Sequence, residues 1–186
     1  MKNKTFVAIL VVGILLLAAC DTAKKNAAEA AIQGATAAYG VVADQAAQYV
    51  PDQAKDVQAS IQAAKDAYAK KDYSGALEAA RNLPEQIKAL RDAASAKKDE
   101  LTAKLTELSS AFPQLLAAVQ SREDSLKKAH KLPSGAADNL ASVRQVWSDA
   151  STAFQSGKLQ DAMAKATIAK EKLAELEAKL GMKPLA

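Results

Sequence analysis

From residue 27 onward the apolar side chains return at every third or fourth position, and no run alternates apolar with polar residues for long enough to make a strand. Such a period puts the apolar groups on one face of a helix of 3.6 residues per turn. The stretch Leu101, Leu105, Leu108, Phe112, Leu115 and Val119 shows it most plainly, with steps of four, three, four, three and four. That is a heptad seam, suited to packing against a neighbouring helix. The residues between are mainly Ala, Lys, Glu, Gln and Asp, with few β-branched side chains and only 4% aromatics. Helix propensity and hydrophobic period therefore agree on an all-α chain.

Prolines and glycines at Pro51, Gly75, Pro84, Pro113, Pro133, Gly157 and Gly181 divide the chain into about six helices arranged as antiparallel hairpins or a bundle. The first is expected over 27–49, with Ala35, Tyr39, Val42 and Ala46 on one face. Gly34 and Gly40 weaken it, each by about 1 kcal/mol relative to alanine. A second over 52–70 carries Val57, Ile61, Ala64 and Tyr68, and a third runs from Ser74 to Asn82 with Leu77 and Ala80 inward. Pro84 either opens a new helix in its first turn or kinks a longer one. Pro113 leaves two readings of the heptad seam: one kinked helix, or a hairpin turning over residues 109–113. Ser134 is the expected N-cap of a fifth helix bearing Leu140, Val143, Trp147, Ala150 and Phe154, which Gly157 ends. The last helix covers 159–180, with Leu159, Ala162, Met163, Ala166, Leu173, Leu176 and Leu180 inward, and stops at Gly181.

Residues 67–80, AYAKKDYSGALEAA, align without gaps to residues 153–166, AFQSGKLQDAMAKA. Tyr68 then matches Phe154, Tyr73 matches Leu159, Ala76 matches Ala162 and Leu77 matches Met163, while Val57, Ile61 and Ala64 match Val143, Trp147 and Ala150 upstream. Each copy reads as a helical hairpin preceded by Pro51 or Pro133, the second with one extra turn before its aromatic. Alanines on the return helix allow an approach of about 8 to 10 Å. The order of aromatic, turn, then Ala-Leu-x-x-Ala-Ala resembles the hairpin of tetratricopeptide repeats, although the copies are not tandem and the Trp-x-x-Leu-Gly opening of that consensus is missing. Residues 36–95 also look like an Ala-rich helical lipoprotein domain of bacterial envelopes, a likeness that implies a periplasmic location but supplies no activity.

The N-terminus has a different logic. Lys2 and Lys4 precede an uncharged, almost wholly apolar run from Phe6 to Leu17, followed by Ala18, Ala19 and Cys20. A spanning helix needs roughly 20 apolar residues and a signal core about 7 to 15, so the run reads as a signal peptide over 1–19. Leu17-Ala18-Ala19-Cys20 resembles the lipobox of bacterial lipoproteins. The resemblance implies a diacylglycerol on the Cys20 thiol, cleavage before it, and an N-acyl chain such as palmitate. It also accounts for an odd cysteine in an exported chain, where a lone thiol forms no internal disulfide. Asp21, directly after the lipidated residue, resembles the sorting signal that retains such proteins in the inner membrane rather than the outer one. Residues 20–33 are then a membrane-proximal tether, 34–110 a first helical hairpin region and 111–186 a second, with one compact domain over both regions as the alternative.

Removing 19 of 186 residues leaves 167, and taking Lys2 and Lys4 from the 25 basic side chains leaves 23 against 21 acidic. Interleaved, near-balanced charge argues against a nucleic-acid partner and describes solvated helix faces. The one histidine, His130, stands among lysines near a helix end and makes a poor metal ligand. Neighbours such as Asp99 with Glu100 and Glu123 with Asp124 point apart on a helix and form no acid/base dyad. With no phosphate loop, nucleophile elbow or zinc-protease segment, no catalytic or metal site and no cofactor beyond the covalent lipid is expected. Trp147, with Phe154 and Tyr68, is either core packing beneath a hairpin or the lining of a groove. The expected function is a non-enzymatic, membrane-tethered helical scaffold or adaptor for another envelope protein. A lipid or small-ligand carrier with a cavity between hairpins, and a structural spacer, are the alternatives.

Overall fold

The computed structural model describes the backbone of residues 3–183 and the side chains of residues 21–183. The protein is 88% helical, with no strand among the described residues, so the fold is all-α. Six helices follow one another: α1 (Asn3–Tyr49), α2 (Pro51–Ala69), α3 (Tyr73–Ala80), α4 (Leu83–Lys128), α5 (Ala136–Gln155) and α6 (Leu159–Lys179). They form two compact units, residues 1–97 and 98–186, divided inside α4. Among the described residues no helix is long and apolar enough to cross a membrane. That statement does not reach the run from Phe6 to Leu17, whose side chains lie outside the described residues.

In the first unit, α1 packs against the α2–α3 hairpin, and the opening turns of α4 complete the core. Ala28, Ile32, Ala35, Val42 and Ala46 of α1 meet Val57, Ile61 and Ala64 of α2, Ala76 and Ala80 of α3, and Leu83, Ile87 and Leu90 of α4. Fully buried alanines at 28, 46, 64 and 76 let helix backbones come close, while Leu and Ile supply the area. Ala28 and Ile32 correct the tether expected over 20–33, because chain packed into a core is not free linker. Pro84 sits in the first turn of α4, where its missing N–H would have had no helical partner.

The second unit takes the rest of α4 together with α5 and α6. Phe112 and Val119 of α4 pack with Leu140 and Val143 of α5, with Ala169, Leu173 and Leu176 of α6 and with Leu180 just after it. Phe112 stacks on Trp147 with ring centroids 4.1 Å apart and planes 19° from parallel. At the edges of this core, Arg122 Nε donates to the Leu180 carbonyl at 3.1 Å and Arg144 Nη2 donates to Gln120 Oε1 at 2.5 Å. Pro113 stands inside an unbroken α4, which excludes the hairpin at 109–113. Burial of Phe112 offsets the hydrogen bond that the proline removes. The expected cap Ser134 is also corrected: Gly135, at φ 72°, precedes α5, with no side-chain cap bond.

The two hairpins are alike in detail. At the end of α2 the N–H of Lys71 donates to the Tyr68 carbonyl and that of Asp72 to the Ala67 carbonyl. At the end of α5 Gly157 donates to Phe154 and Lys158 to Ala153, each partner 86 residues further on. Both closures place a left-handed residue after the helix, Lys71 at φ 62° and Gly157 at φ 73°. The same register continues past the hairpins, where buried Leu83, Ile87, Leu90 and Ala94 of α4 match buried Ala169, Leu173, Leu176 and Leu180 of α6 and its end. Unit 1 breaks this return helix at residues 81–82, before Pro84, whereas unit 2 has Lys170 at the equivalent place and runs on. Helices α2 and α5 have 19 and 20 residues, so the extra turn expected in the second copy is not there.

The helix preceding each hairpin also corresponds. Buried Ala28, Ala35 and Val42 of α1 share the seven-residue spacing of buried Leu105, Phe112 and Val119 of α4. Each unit is therefore one helix packed on a hairpin whose return arm is α3 with the opening of α4 in unit 1 and α6 in unit 2, and α4 runs from the first unit into the second.

Candidate functional site

The described side chains begin at Asp21, so that of Cys20 lies outside them. Asp21, the expected sorting residue, is exposed at the start of that description. From there α1 is laid along the tip of the α2–α3 hairpin. Lys24 Nζ donates to Ser74 Oγ at 3.1 Å, and the Tyr68 hydroxyl donates to Glu29 Oε2 at 3.0 Å. The ring of Tyr68 lies 5.3 Å from that of Tyr73, tilted by 60°. Partial burial pushes the Tyr68 phenol above its usual pKa of 10.0, and the Glu29 carboxylate that accepts its proton adds to the shift. Asp72 caps α3 by accepting the Gly75 N–H at 2.8 Å. One end of unit 1 thus joins α1 near residue 24 to a hairpin tip.

The three aromatics put forward for a groove fall in different units of the chain. Tyr68 belongs to unit 1, Trp147 and Phe154 to unit 2. Trp147 is half-buried and gives one face to Phe112, while Phe154 is half-buried in the last turn of α5, the place Tyr68 holds in α2. Phe112, the ring partner of Trp147, went unremarked as such in the sequence. Its place in the heptad seam was the available signal.

Open grooves accompany these helices. One of about 250 Å³ in unit 1 is lined by Gln53, Asp56, Ser60, Gln86 and Leu90. In unit 2 one of about 640 Å³ is lined by Leu116, Gln120, Asp124, Lys128 and Arg144, and one of about 450 Å³ by Lys104, Glu107, Leu108, Met163 and Glu171. Each mixes two or three apolar side chains with charged, amide or hydroxyl ones. Neighbouring acids separate as helical geometry requires: Glu123 is buried with Oε2 lacking a hydrogen-bond partner, while Asp124 is exposed and accepts the Gln120 amide at 3.0 Å. Among the described residues no group of three His, Cys, Asp or Glu side chains could hold a metal ion. His130, exposed at φ 56°, closes α4 through its own N–H to the Lys127 carbonyl. Comparison with protein-family models, with curated proteins and with solved structures gives no match to this chain.

Proposed function

We propose that this chain is a bacterial envelope lipoprotein, lipidated on Cys20 and facing the periplasm, that acts as a non-enzymatic helical scaffold for another envelope protein. The observation that carries the reading is the position of the lipobox, Leu17-Ala18-Ala19-Cys20, eight residues before the first buried side chain, Ala28. At about 1.5 Å per helical residue, a lipid on Cys20 would hold unit 1 within about 12 Å of the bilayer. Each buried methylene contributes about 0.8 kcal/mol, so two or three acyl chains make the attachment effectively permanent. Asp21 supports retention in the inner membrane. The duplicated body of a helix on a hairpin supports a scaffold, because it repeats one amphipathic surface twice on a single chain and partner proteins read helix faces of this kind.

The test is crosslinking in intact envelopes followed by mass spectrometry of the captured species. A reproducible protein partner, lost when Cys20→Ala leaves the precursor unprocessed, is the expected result. A co-purifying lipid or metabolite with no protein partner would replace the scaffold with a carrier, and normal maturation of Cys20→Ala would remove the lipoprotein.

A further inference from the structure

We infer that unit 2 is built to open: the last turns of α4 lift from the α5–α6 hairpin at buried Glu123 and uncover an apolar face made by Leu140 of α5 and Leu173 and Leu176 of α6. The inference starts from one side chain. Glu123 is 7% exposed, and its Oε2 has no hydrogen-bond partner. A carboxyl group withdrawn from water without a donor carries a cost that the opened chain escapes, because water then supplies the donor. Donors close in sequence are turned elsewhere. Arg122 Nε donates to the Leu180 carbonyl at 3.1 Å, and the Gln120 amide donates to Asp124 Oδ1 at 3.0 Å.

Unit 1 supplies a control within the same chain. In the register that matches Val42 with Val119, the residue one helical turn on is Ala46 in unit 1 and Glu123 in unit 2. Ala46 is fully buried and needs no donor. Along the return arm, where Leu90 matches Leu176, the next residue is exposed Arg91 bonded to Asp92 in unit 1, and buried Glu177 in unit 2. The bond between Arg122 and Leu180 puts both carboxyls at one end of unit 2, since Glu123 follows Arg122 and Glu177 lies one turn before Leu180. Backbone packing differs in the same direction. In unit 1, α1 comes close to both α2 and α3, whereas in unit 2 the close approach is between α5 and α6, and α4 is held to them through long side chains such as Phe112. A helix held in this way, with an unbonded carboxyl beneath its last turns, separates before the hairpin itself does. Opening needs neither the lipid anchor nor a partner. What it adds to the scaffold reading is a concealed face that an amphipathic helix of another protein can take.

The experiment is hydrogen exchange on the full chain, read by mass spectrometry, for the native protein and for Glu123→Met, which keeps the length of the side chain and removes its carboxyl. Amides of 119–128 should exchange at least about tenfold more slowly in the variant, while those of 42–49, the equivalent stretch of unit 1, keep their rates. A second measurement does not depend on that variant. Leu176→Cys and Leu90→Cys place a thiol at equivalent buried positions of the two units, and alkylation at each is followed on its own peptide. The thiol at 176 should react at least about tenfold faster than the one at 90. A folded Glu123→Met protein whose 119–128 amides exchange as fast as the native ones overturns the proposal, as do equal reactivities at 176 and 90. Neither measurement involves a partner, so either failure leaves the scaffold reading standing.

Discussion

Phe112 and Trp147 contribute a large share of the apolar area in a unit whose helices are rich in alanine. Fully buried Phe112 truncated to alanine should cost about 3 to 5 kcal/mol, through lost transfer energy and an unfilled cavity. Trp147→Ala should cost less, about 2 to 3 kcal/mol, because half-burial leaves part of the ring in water already. Denaturant melts of both variants check the order, and a Trp147→Ala protein that melts unchanged would remove the residue from the core. At Gly34 and Gly40 a Cβ would meet nothing within 4 Å, and both positions are helical. Gly34→Ala and Gly40→Ala should therefore each stabilise the chain by about 0.5 to 1 kcal/mol, measured in the same melts. Tyr68 gives a pH signature. Its pKa is raised in the folded protein, so its contribution is fully present below 10.0 and is lost as pH rises through the higher folded value. Stability measured above pH 10 should fall more steeply in the native chain than in Tyr68→Phe, and phenolate absorbance should show one tyrosine titrating late.

The hairpin elements divide the sequence and structural readings in an instructive way. The helices were legible because Val57, Ile61, Ala64 and their partners 86 residues later hold a strict helical period, and the matched segments 67–80 and 153–166 announced two related turns. The length of the duplication was not legible. Leu83-Pro84 and Ala169-Lys170 look unrelated as residues, and only burial shows that Leu83 and Ala169 fill equivalent places. Pro113 was ambiguous for a physical reason: the sequence registers the lost donor but not the burial of Phe112 that keeps the helix whole. Ser134 had a capping side chain, yet Gly135 took the position because a left-handed backbone turns the chain into α5. At the tip of the α2–α3 hairpin, the apposition of Lys24 to Ser74 depends on the tertiary packing of α1 and was not legible in the sequence. The paired turns give an element-level prediction. Lys71→Gly should stabilise unit 1 by about 1 kcal/mol, and Gly157→Ala should destabilise unit 2 by about as much, since each exchanges a free for a strained left-handed residue. Hydrogen exchange at 51–80 and 136–166 separates the two effects, and shifts of the same sign would contradict the shared turn.

Across the molecule, one chain carries two bodies of a helix on a hairpin that use α4 in common, with its candidate anchor next to the first. This arrangement explains why packing begins as early as Ala28 and why little free tether is left between Cys20 and the folded chain. The solvated faces carry charges paired along a helix, as in Lys104 with Glu100 and Lys165 with Asp161. The account stands or falls on the covalent state of Cys20. Intact and peptide mass spectrometry of the protein taken from bacterial membranes measures it directly. The predicted result is a mature N-terminus at Cys20 carrying a thioether-linked diacylglycerol, with or without an N-acyl chain. A chain that retains residues 1–19, or one that begins elsewhere with Cys20 as a free thiol, would contradict it.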